Sequence, residues 1–150
     1  MSKLINKNCI VFDIDAAEKK DVISVLVKEL DAAGKITNQE EFFEDVLARE
    51  AIAPTYVGFD MGLPHGKTDH VLEASVAFAR TARPVVWNEE TGETAELIIL
   101  IAVPLSEAGD THMKILANLS RQLMHEEFRE SLRSSTKDQV FDILTEVLEG

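Results

Sequence analysis

Apolar residues recur every three or four positions in several stretches of the chain, a spacing that places them on one face of an α-helix. In the first stretch we expect Asp15 to cap the helix, with Glu18 as its capping-box partner and Gly34 at its end. A second helix is expected to begin at Asn38. Either this helix ends near Glu50 or Glu50 is paired, because an unpaired carboxylate facing the apolar stripe is costly.

Three further helices are expected in the C-terminal third of the chain. Asp110 should cap the first, and His112 follows in its first turn, on the same face as Leu116, Leu119 and Leu123. There the helix dipole and the unpaired N–H groups favour an anion and a neutral imidazole. Glu126–Arg133 is a short helix, and Thr136 and Gln139 form a capping box for the last one.

Five shorter segments are expected to be extended: Ile10–Ile14, Tyr56–Phe59, Val71–Arg80, Pro84–Trp87 and Glu96–Val103. The run Leu97–Val103 is apolar on both faces, which predicts a central strand covered by helices on both sides. The order of elements predicts an α/β protein. We expect a single domain over residues 1–150, a three-layer sandwich with a mixed, mostly five-stranded sheet flanked by helices on both faces.

Composition and charge exclude several functions. The formal net charge of −12 argues against a nucleic-acid partner, since phosphate binding needs a basic surface. The single cysteine, Cys9, lies in an apolar run, which predicts a core residue in a reducing compartment. No apolar run approaches the ~20 residues of a membrane helix, so we expect a cytoplasmic protein that does not insert into the membrane. No phosphate-binding loop, dinucleotide fingerprint or serine elbow is present, and no cofactor is expected.

The stretch Gly58–His70 concentrates residues that can carry chemistry. Pro64 restricts the backbone, and Gly62 and Gly66 allow turns or close backbone approach that a Cβ would forbid. His65 is therefore expected on a stiff corner that presents its imidazole, which can act as nucleophile, acid, base or ligand. A solvated loop histidine is the alternative, and the spacing alone favours it.

His65, His112 and Arg49 form the first candidate constellation. One imidazole can take up a phosphoryl group, the second can hydrogen-bond the anion, and the guanidinium can neutralise charge in transfer. For His112 the alternative is a buried histidine tied to a carbonyl, and for Arg49 a surface ion pair. A second constellation, a metal site of His65, Asp69 and His70 with His112, matches no common zinc signature. We therefore expect no metal, and a histidine-based metal-binding protein remains an alternative function.

Several blocks together resemble the fructose/mannitol-type enzyme IIA family of the bacterial phosphoenolpyruvate:sugar phosphotransferase system. They span nearly the whole chain, and the fructose branch is most similar, through His-Gly-Lys at 65–67 and Leu-Ser-Arg-Gln-Leu-Met at 119–124. The other similar blocks are Leu-Ala-Arg-Glu at 47–50, Gly-Leu-Pro-His-Gly-Lys at 62–67, Ala-Phe-Ala-Arg at 77–80, Pro-Val-Val-Trp at 84–87, Leu-Ile-Ile-Leu-Ile-Ala-Val-Pro at 97–104 and the run from His112 to Arg121.

The resemblance implies a phosphotransferase in which His65 is the phosphorylated residue, His112 its active-site neighbour and Arg49 the cation that stabilises the transferring group. It implies HPr as phosphoryl donor, a cysteine of a IIB domain as acceptor and the membrane component IIC as an indirect partner. A regulatory enzyme IIA of the nitrogen-related kind is an alternative.

The chain departs from the family pattern next to the site. Thr-Tyr-Val-Gly at 55–58 replaces the usual Thr-Gly-Ile-Gly, and Met61 replaces a small or aliphatic residue. These departures affect the expected donor and acceptor preference rather than the chemistry. Phe59 and Met61 are expected to form an apolar rim for partners, while Leu63 is expected in the core.

Overall fold

The structure of the chain, a computed structural model, describes residues 4–106 and 110–149, with side chains described over 4–106 and 113–149. The helices are α1 (Lys19–Ala32), α2 (Gln39–Ile52), α3 (Asp110–Leu123), α4 (Glu126–Ser134) and α5 (Lys137–Glu149). The strands are β1 (Ile5–Ile14), β2 (Tyr56–Gly58), β3 (Met61–Gly62), β4 (His65–Thr68), β5 (Ser75–Asn88) and β6 (Glu93–Pro104).

The described strands form one mixed sheet with β6 near its centre. On one side β6 pairs antiparallel with β5, which in turn pairs in parallel with β1. On the other side β6 pairs in parallel with both β3 and β4, and β2 adds to β3 antiparallel. The sheet has six strands rather than the expected five, because the glycine-rich segment supplies β3 and β4 while two of the expected strands form the single strand β5.

Side chains of β6 alternate between two cores, so the predicted central strand and three-layer arrangement are confirmed. Ile98, Leu100 and Ala102 face a core that also contains residues of α1 and α2, such as Leu26 and Val46. Leu97, Ile99, Ile101 and Val103 face the other core, which contains residues of α3, α4 and α5. Burying each large apolar side chain of this kind contributes about 1.5–3 kcal/mol, and the two cores together hold the helices on both faces.

Several predicted boundaries are wrong. Glu18, not Asp15, is the N-cap of α1, and its capping box forms with Asp21. The predicted strand Val71–Arg80 begins at Ser75, and it continues through Pro84–Trp87 as a single strand with a register shift between Arg80 and Val85. Pro84 is exposed at this irregularity, where a missing N–H donor does not interrupt a regular ladder.

Other local predictions are confirmed. The Asn38 side chain accepts a hydrogen bond from the Glu41 N–H at 3.0 Å at the start of α2. Thr136 and Gln139 exchange side-chain hydrogen bonds with each other's backbone N–H before α5. Gly34 follows the end of α1 with a φ of 75°, a left-handed conformation that glycine adopts without strain. The predicted cap at Asp110 involves a side chain outside the described residues.

Cys9 is buried in the core beside α1, as predicted. Burial is the main reason that the pKa of its thiol rises to about 11, with the Glu29 charge adding to the effect. A thiol with this pKa is almost entirely protonated at neutral pH and is a poor nucleophile. Of the helices that the structure describes, none is both long enough and apolar enough to cross a bilayer.

Candidate active site

His65 is the first residue of β4, and it lies in a strand rather than in the expected corner. It pairs in register with Ile101 of β6, so both side chains lie on the face of the sheet that α3 and α5 cover. Gly62 and Gly66 allow close approach, not turns, since neither has a positive φ. A Cβ on Gly66 would lie 2.9 Å from the Phe42 ring of α2, and one on Gly62 2.6 Å from the Trp87 indole.

An open cleft of about 570 Å³ lies where α2 approaches β4. Because Gly66 has no side chain, Phe42 of α2 packs closely on the strand. The next turn of the helix lines the same cleft as His65. The structure therefore brings His65 and Arg49 together in one cleft. Its lining comprises Asp45, Ala48 and Arg49 from α2, His65–Thr68 from β4, and Asp69, His70 and Leu105.

The His65 ring is half-buried, and its Nδ1 lies 3.1 Å from the carbonyl oxygen of Leu63. A carbonyl can only accept a hydrogen bond, so this contact requires the proton on Nδ1 and leaves the ring lone pair on Nε2. The strand start, the Pro64 restriction and this hydrogen bond together fix the direction of the imidazole.

Arg49 lies in the last turn of α2 and is half-buried. Its Nη1 donates a hydrogen bond to the Ala53 carbonyl at 3.0 Å, which caps the end of the helix and holds the guanidinium in place. Among the described side chains Arg49 forms no ion pair with a carboxylate, so the predicted alternative of a surface ion pair is not found there. Lys67, exposed on β4, adds a second cation to the cleft lining.

The structure gives the position of His112 only through its backbone. His112 lies in the first turn of α3, which packs on the same face of the sheet as His65. Its side chain lies outside the described residues, so its predicted role stays a prediction. The helix face that the sequence assigned to it is otherwise confirmed, since Leu119 and Leu123 are buried and Leu116 packs against the same core.

His70 is tied to carboxylates rather than arranged for a metal. Its Nδ1 lies 2.6 Å from Asp45 Oδ2 and its Nε2 2.7 Å from Glu41 Oε2. The hydrogen bond with Asp45 raises the pKa of His70 above its ordinary value, the charges of Asp45, Glu41 and Asp69 add to this, and partial desolvation opposes it. Among the described residues, no group of three or more His, Cys, Asp or Glu side chains could hold a metal ion.

Glu50 is buried and paired, and α2 continues past it to Ile52, so the second of the two sequence alternatives holds. Lys19 Nζ lies 3.1 Å from Glu50 Oε1, and the Thr55 hydroxyl donates to Glu50 Oε2. The rim prediction is wrong for Met61, which is fully buried. It is correct that Leu63 is in the core and that Phe59 is exposed. The guanidinium of Arg129 lies over the Phe59 ring, with its Cζ 3.9 Å from the ring centroid.

Sequence reasoning missed two polar residues of the cleft, Asp45 and Thr68. The Thr68 hydroxyl donates to Asp45 Oδ2 at 2.8 Å, which links β4 to α2. A signal was present, because Asp45 precedes Arg49 by four positions and so lies on the same face of a helix. No local signal could have paired Thr68 with a residue 23 positions earlier.

The relatives of this chain are components of sugar phosphotransferase systems. The fructose-specific EIIA component of Haloferax volcanii is 40% identical over 134 residues, which are 89% of this chain and 86% of the relative. The 2-O-alpha-mannosyl-D-glycerate-specific EIIABC component of Escherichia coli is 35% identical over 137 residues, 91% of this chain. The chain spans 21% of that second relative and 17% of multiphosphoryl transfer protein 2 of the same organism.

Solved structures share the fold. The nitrogen regulatory protein IIA-Ntr from Neisseria meningitidis superposes with a TM-score of 0.86 at 29% identity, over 95% of this chain and 97% of its own. The complex of enzyme IIAMTL with phosphorylated enzyme IIBMTL from Escherichia coli gives 0.79 at 28% identity, over 94% and 98%. As that complex illustrates, IIA domains work with IIB components.

A sequence model described as phosphoenolpyruvate-dependent sugar phosphotransferase system, EIIA 2, matches residues 3–147. The match covers nearly the whole chain, and the relatives and the fold agree with it. The chain therefore belongs to the type-2 EIIA family of sugar phosphotransferase system proteins, which are phosphotransferases.

Proposed function

We propose that this chain is a cytoplasmic phosphocarrier that accepts a phosphoryl group from phospho-HPr on His65 and passes it to a cysteine of a IIB component. The observation that carries the proposal is the His65 imidazole, held by the Leu63 carbonyl through Nδ1 in a cleft that also contains Arg49. This arrangement orients one ring nitrogen and supplies a cation, which is most of what phosphoryl transfer needs from a protein.

Nε2 of His65 is the attacking atom. Its lone pair forms the P–N bond while the P–N bond to the donor histidine breaks, and the donor imidazole leaves with the electron pair. In the second step the IIB cysteine thiolate forms a P–S bond as the bond to Nε2 breaks, which regenerates the neutral His65 ring. The Leu63 carbonyl keeps its hydrogen bond to Nδ1–H throughout, so the ring need not turn between the two steps.

Arg49 stabilises the charge on the phosphoryl oxygens during each transfer. Its hydrogen bond to Ala53 uses Nη1 and positions the rest of the planar guanidinium. His112 supports the phosphoryl group or His65 from the first turn of α3. Because the group must be passed on, binding should be stronger for the group in transfer than for the resting phosphohistidine.

The transported sugar is proposed to be fructose-like, since the relative with 40% identity is named for fructose. A second candidate function, regulation through the same phosphohistidine, is favoured by the likeness to the nitrogen regulatory protein. A binding screen of phosphorylated and unphosphorylated protein against IIB domains and candidate regulators separates the two. Transfer to a IIB cysteine supports transport, and phosphorylation-dependent binding of a regulator without transfer supports regulation.

The test is intact mass after incubation with phosphoenolpyruvate, enzyme I and HPr, for the wild type, His65→Ala and His112→Ala. We expect one acid-labile phosphate on the wild type, none on His65→Ala, and slower loading of His112→Ala. Absence of phosphate on the wild type would contradict the phosphocarrier function, and phosphate on a histidine of His65→Ala would contradict the assignment of the nucleophile.

A further inference from the structure

Glu50 is a buried acidic side chain of α2, and three groups contact its carboxylate. Lys19 Nζ lies 3.1 Å from Oε1, the Thr55 N–H donates to Oε1 at 3.3 Å, and the Thr55 hydroxyl donates to Oε2. Lys19 itself also donates to the Trp87 carbonyl at 2.9 Å. A buried carboxylate is tolerated only with such compensation, so loss of any one of these contacts is costly.

Thr55 is the residue through which this network reaches the peptide that follows α2. Its hydroxyl donates to Glu50 and accepts a hydrogen bond from the fully buried Trp87 indole at 3.2 Å. Its backbone N–H is held by the same carboxylate. Glu50 and Trp87 therefore fix both the side chain and the backbone of Thr55, although the neighbouring residues Ala53 and Pro54 are exposed.

Two continuous routes lead from this fixed segment to the cleft. The Thr55 carbonyl accepts a hydrogen bond from the Leu63 N–H at 2.9 Å, and the Leu63 carbonyl is the group that holds His65 Nδ1 at 3.1 Å. On the other route, the Ala53 carbonyl accepts the hydrogen bond from Arg49 Nη1 at 3.0 Å. Both side chains of the proposed chemistry are thus held by backbone carbonyls. The carbonyl that holds Arg49 belongs to the segment 53–55, and the one that holds His65 belongs to Leu63, whose N–H is hydrogen-bonded to that segment.

We propose that Glu50, acting with Thr55, is a positioning residue for the phosphoryl transfer, a role that rests on the proposed function of His65 and Arg49. Glu50 touches neither the phosphoryl group nor the His65 ring. It holds the segment 53–55, whose Ala53 carbonyl accepts a hydrogen bond from Arg49. The Thr55 carbonyl of that segment holds Leu63, the residue whose own carbonyl sets the tautomer of His65. Misplacement of such groups by an ångström can cost up to about 10²-fold in rate.

The test compares Glu50→Gln, Thr55→Val and Thr55→Ser with the wild type. Glu50→Gln keeps the shape but removes the charge, Thr55→Val removes only the hydroxyl, and Thr55→Ser restores it. Thr81→Val is the matched control, because Thr81 is also a buried threonine whose hydroxyl donates a hydrogen bond. Its acceptor is the Arg83 carbonyl at 2.7 Å, and Thr81 does not line the cleft. All variants are first compared in thermal unfolding.

Two quantities are measured on each variant. The first is the rate of phosphoryl transfer from phospho-HPr at saturating concentration, together with the KM for phospho-HPr. The second is the pair of ¹⁵N shifts of the His65 ring, recorded without any donor, which report the ratio of the two neutral tautomers. A purely structural role would lower stability without moving the tautomer ratio.

We expect Glu50→Gln and Thr55→Val to slow transfer about 10-fold with the KM within twofold, and to shift His65 from the Nδ1–H form toward a tautomer mixture. Thr55→Ser and Thr81→Val should transfer at close to the wild-type rate. Wild-type rates and an unchanged tautomer ratio in Thr55→Val would overturn the positioning role alone, even if Glu50→Gln failed to fold. If the wild type takes up no phosphate, the proposed function fails, and the ring-nitrogen shifts still decide whether Glu50 positions His65.

Discussion

The two ends of the short strand and turn at 65–70 each carry a histidine that lines the same cleft, yet their surroundings differ. His65 meets a neutral backbone carbonyl through Nδ1. His70 has one carboxylate at each ring nitrogen, Asp45 at 2.6 Å and Glu41 at 2.7 Å. The carboxylates favour a doubly protonated ring, whereas the Leu63 carbonyl requires a proton only on Nδ1.

Because of this difference, the two histidines, five positions apart, differ in their capacity to attack phosphorus. A ring with protons on both nitrogens has no lone pair with which to attack phosphorus. A neutral ring held at Nδ1 has its lone pair on Nε2, and its direction is set by the strand. The sequence offers both residues to the same chemistry, and their hydrogen-bond partners are what distinguish the proposed nucleophile from His70.

The largest effect is expected when His65, the proposed nucleophile, is replaced. His65→Gln should abolish phosphate uptake from phospho-HPr, because an amide cannot form the phosphohistidine. His70→Gln should still carry one acid-labile phosphate at equilibrium, since its ring is engaged by carboxylates. Intact mass measures both. Loss of the phosphate in folded His70→Gln would contradict the division of roles.

Removing the cation next to His65 should have the second largest effect. Arg49→Ala is expected to slow transfer by about 10²- to 10³-fold, the cost of losing one preorganised group that stabilises transition-state charge. Arg49→Lys should recover only part of the rate, because an ammonium lacks the planar fork that binds two oxygens. Single-turnover transfer from phospho-HPr measures the rates. Equal rates for Arg49→Ala and the wild type would exclude this role.

Gly66 lies between the two histidines, and its lack of a side chain lets Phe42 of α2 pack closely on β4. Gly66→Ala would place a Cβ 2.9 Å from the Phe42 ring and should destabilise the fold by about 1–3 kcal/mol through overpacking. Chemical denaturation measures the loss. Phe42→Leu should be less harmful in the Gly66→Ala background than in the wild type, because it makes room for the added methyl. Additive losses would show that the two sites do not interact.

The smallest expected effect concerns the charge state of His70. Since its pKa is raised in the folded protein, the stabilisation is complete below its unfolded value of 6.5 and is lost as pH rises through the folded pKa. Asp45→Asn should therefore lower the His70 pKa toward 6.5 in an NMR titration. The Tm difference between wild type and variant should be larger at pH 6 than at pH 9. A pH-independent difference would assign the loss to the Thr68 hydrogen bond instead.

Much of the fold could be predicted because it depends on neighbours in sequence. The apolar run Leu97–Val103 predicted the central strand, and the caps at Asn38 and Thr136 involve residues three positions apart. Two-residue and four-residue strands such as β3 and β4 carry too few positions to display a period, so the sequence of the glycine-rich segment indicates a corner instead. The sequence also does not distinguish Glu18, the observed cap of α1, from Asp15, since both are acidic residues shortly before the same apolar stripe.

By itself the sequence determined the α/β class, the apolar faces of the helices, and His65, His112 and Arg49 as candidates. The tertiary structure decided that His65 and Arg49 line one cleft, which ring nitrogen of His65 meets a carbonyl, and that Lys19 compensates Glu50. The physical reason is the range of the interactions. Caps and periodicity act within a few residues. The contact between Lys19 and Glu50 spans 31 positions, and the one between Asp45 and His70 spans 25, so they exist only once the sheet and its helices have packed.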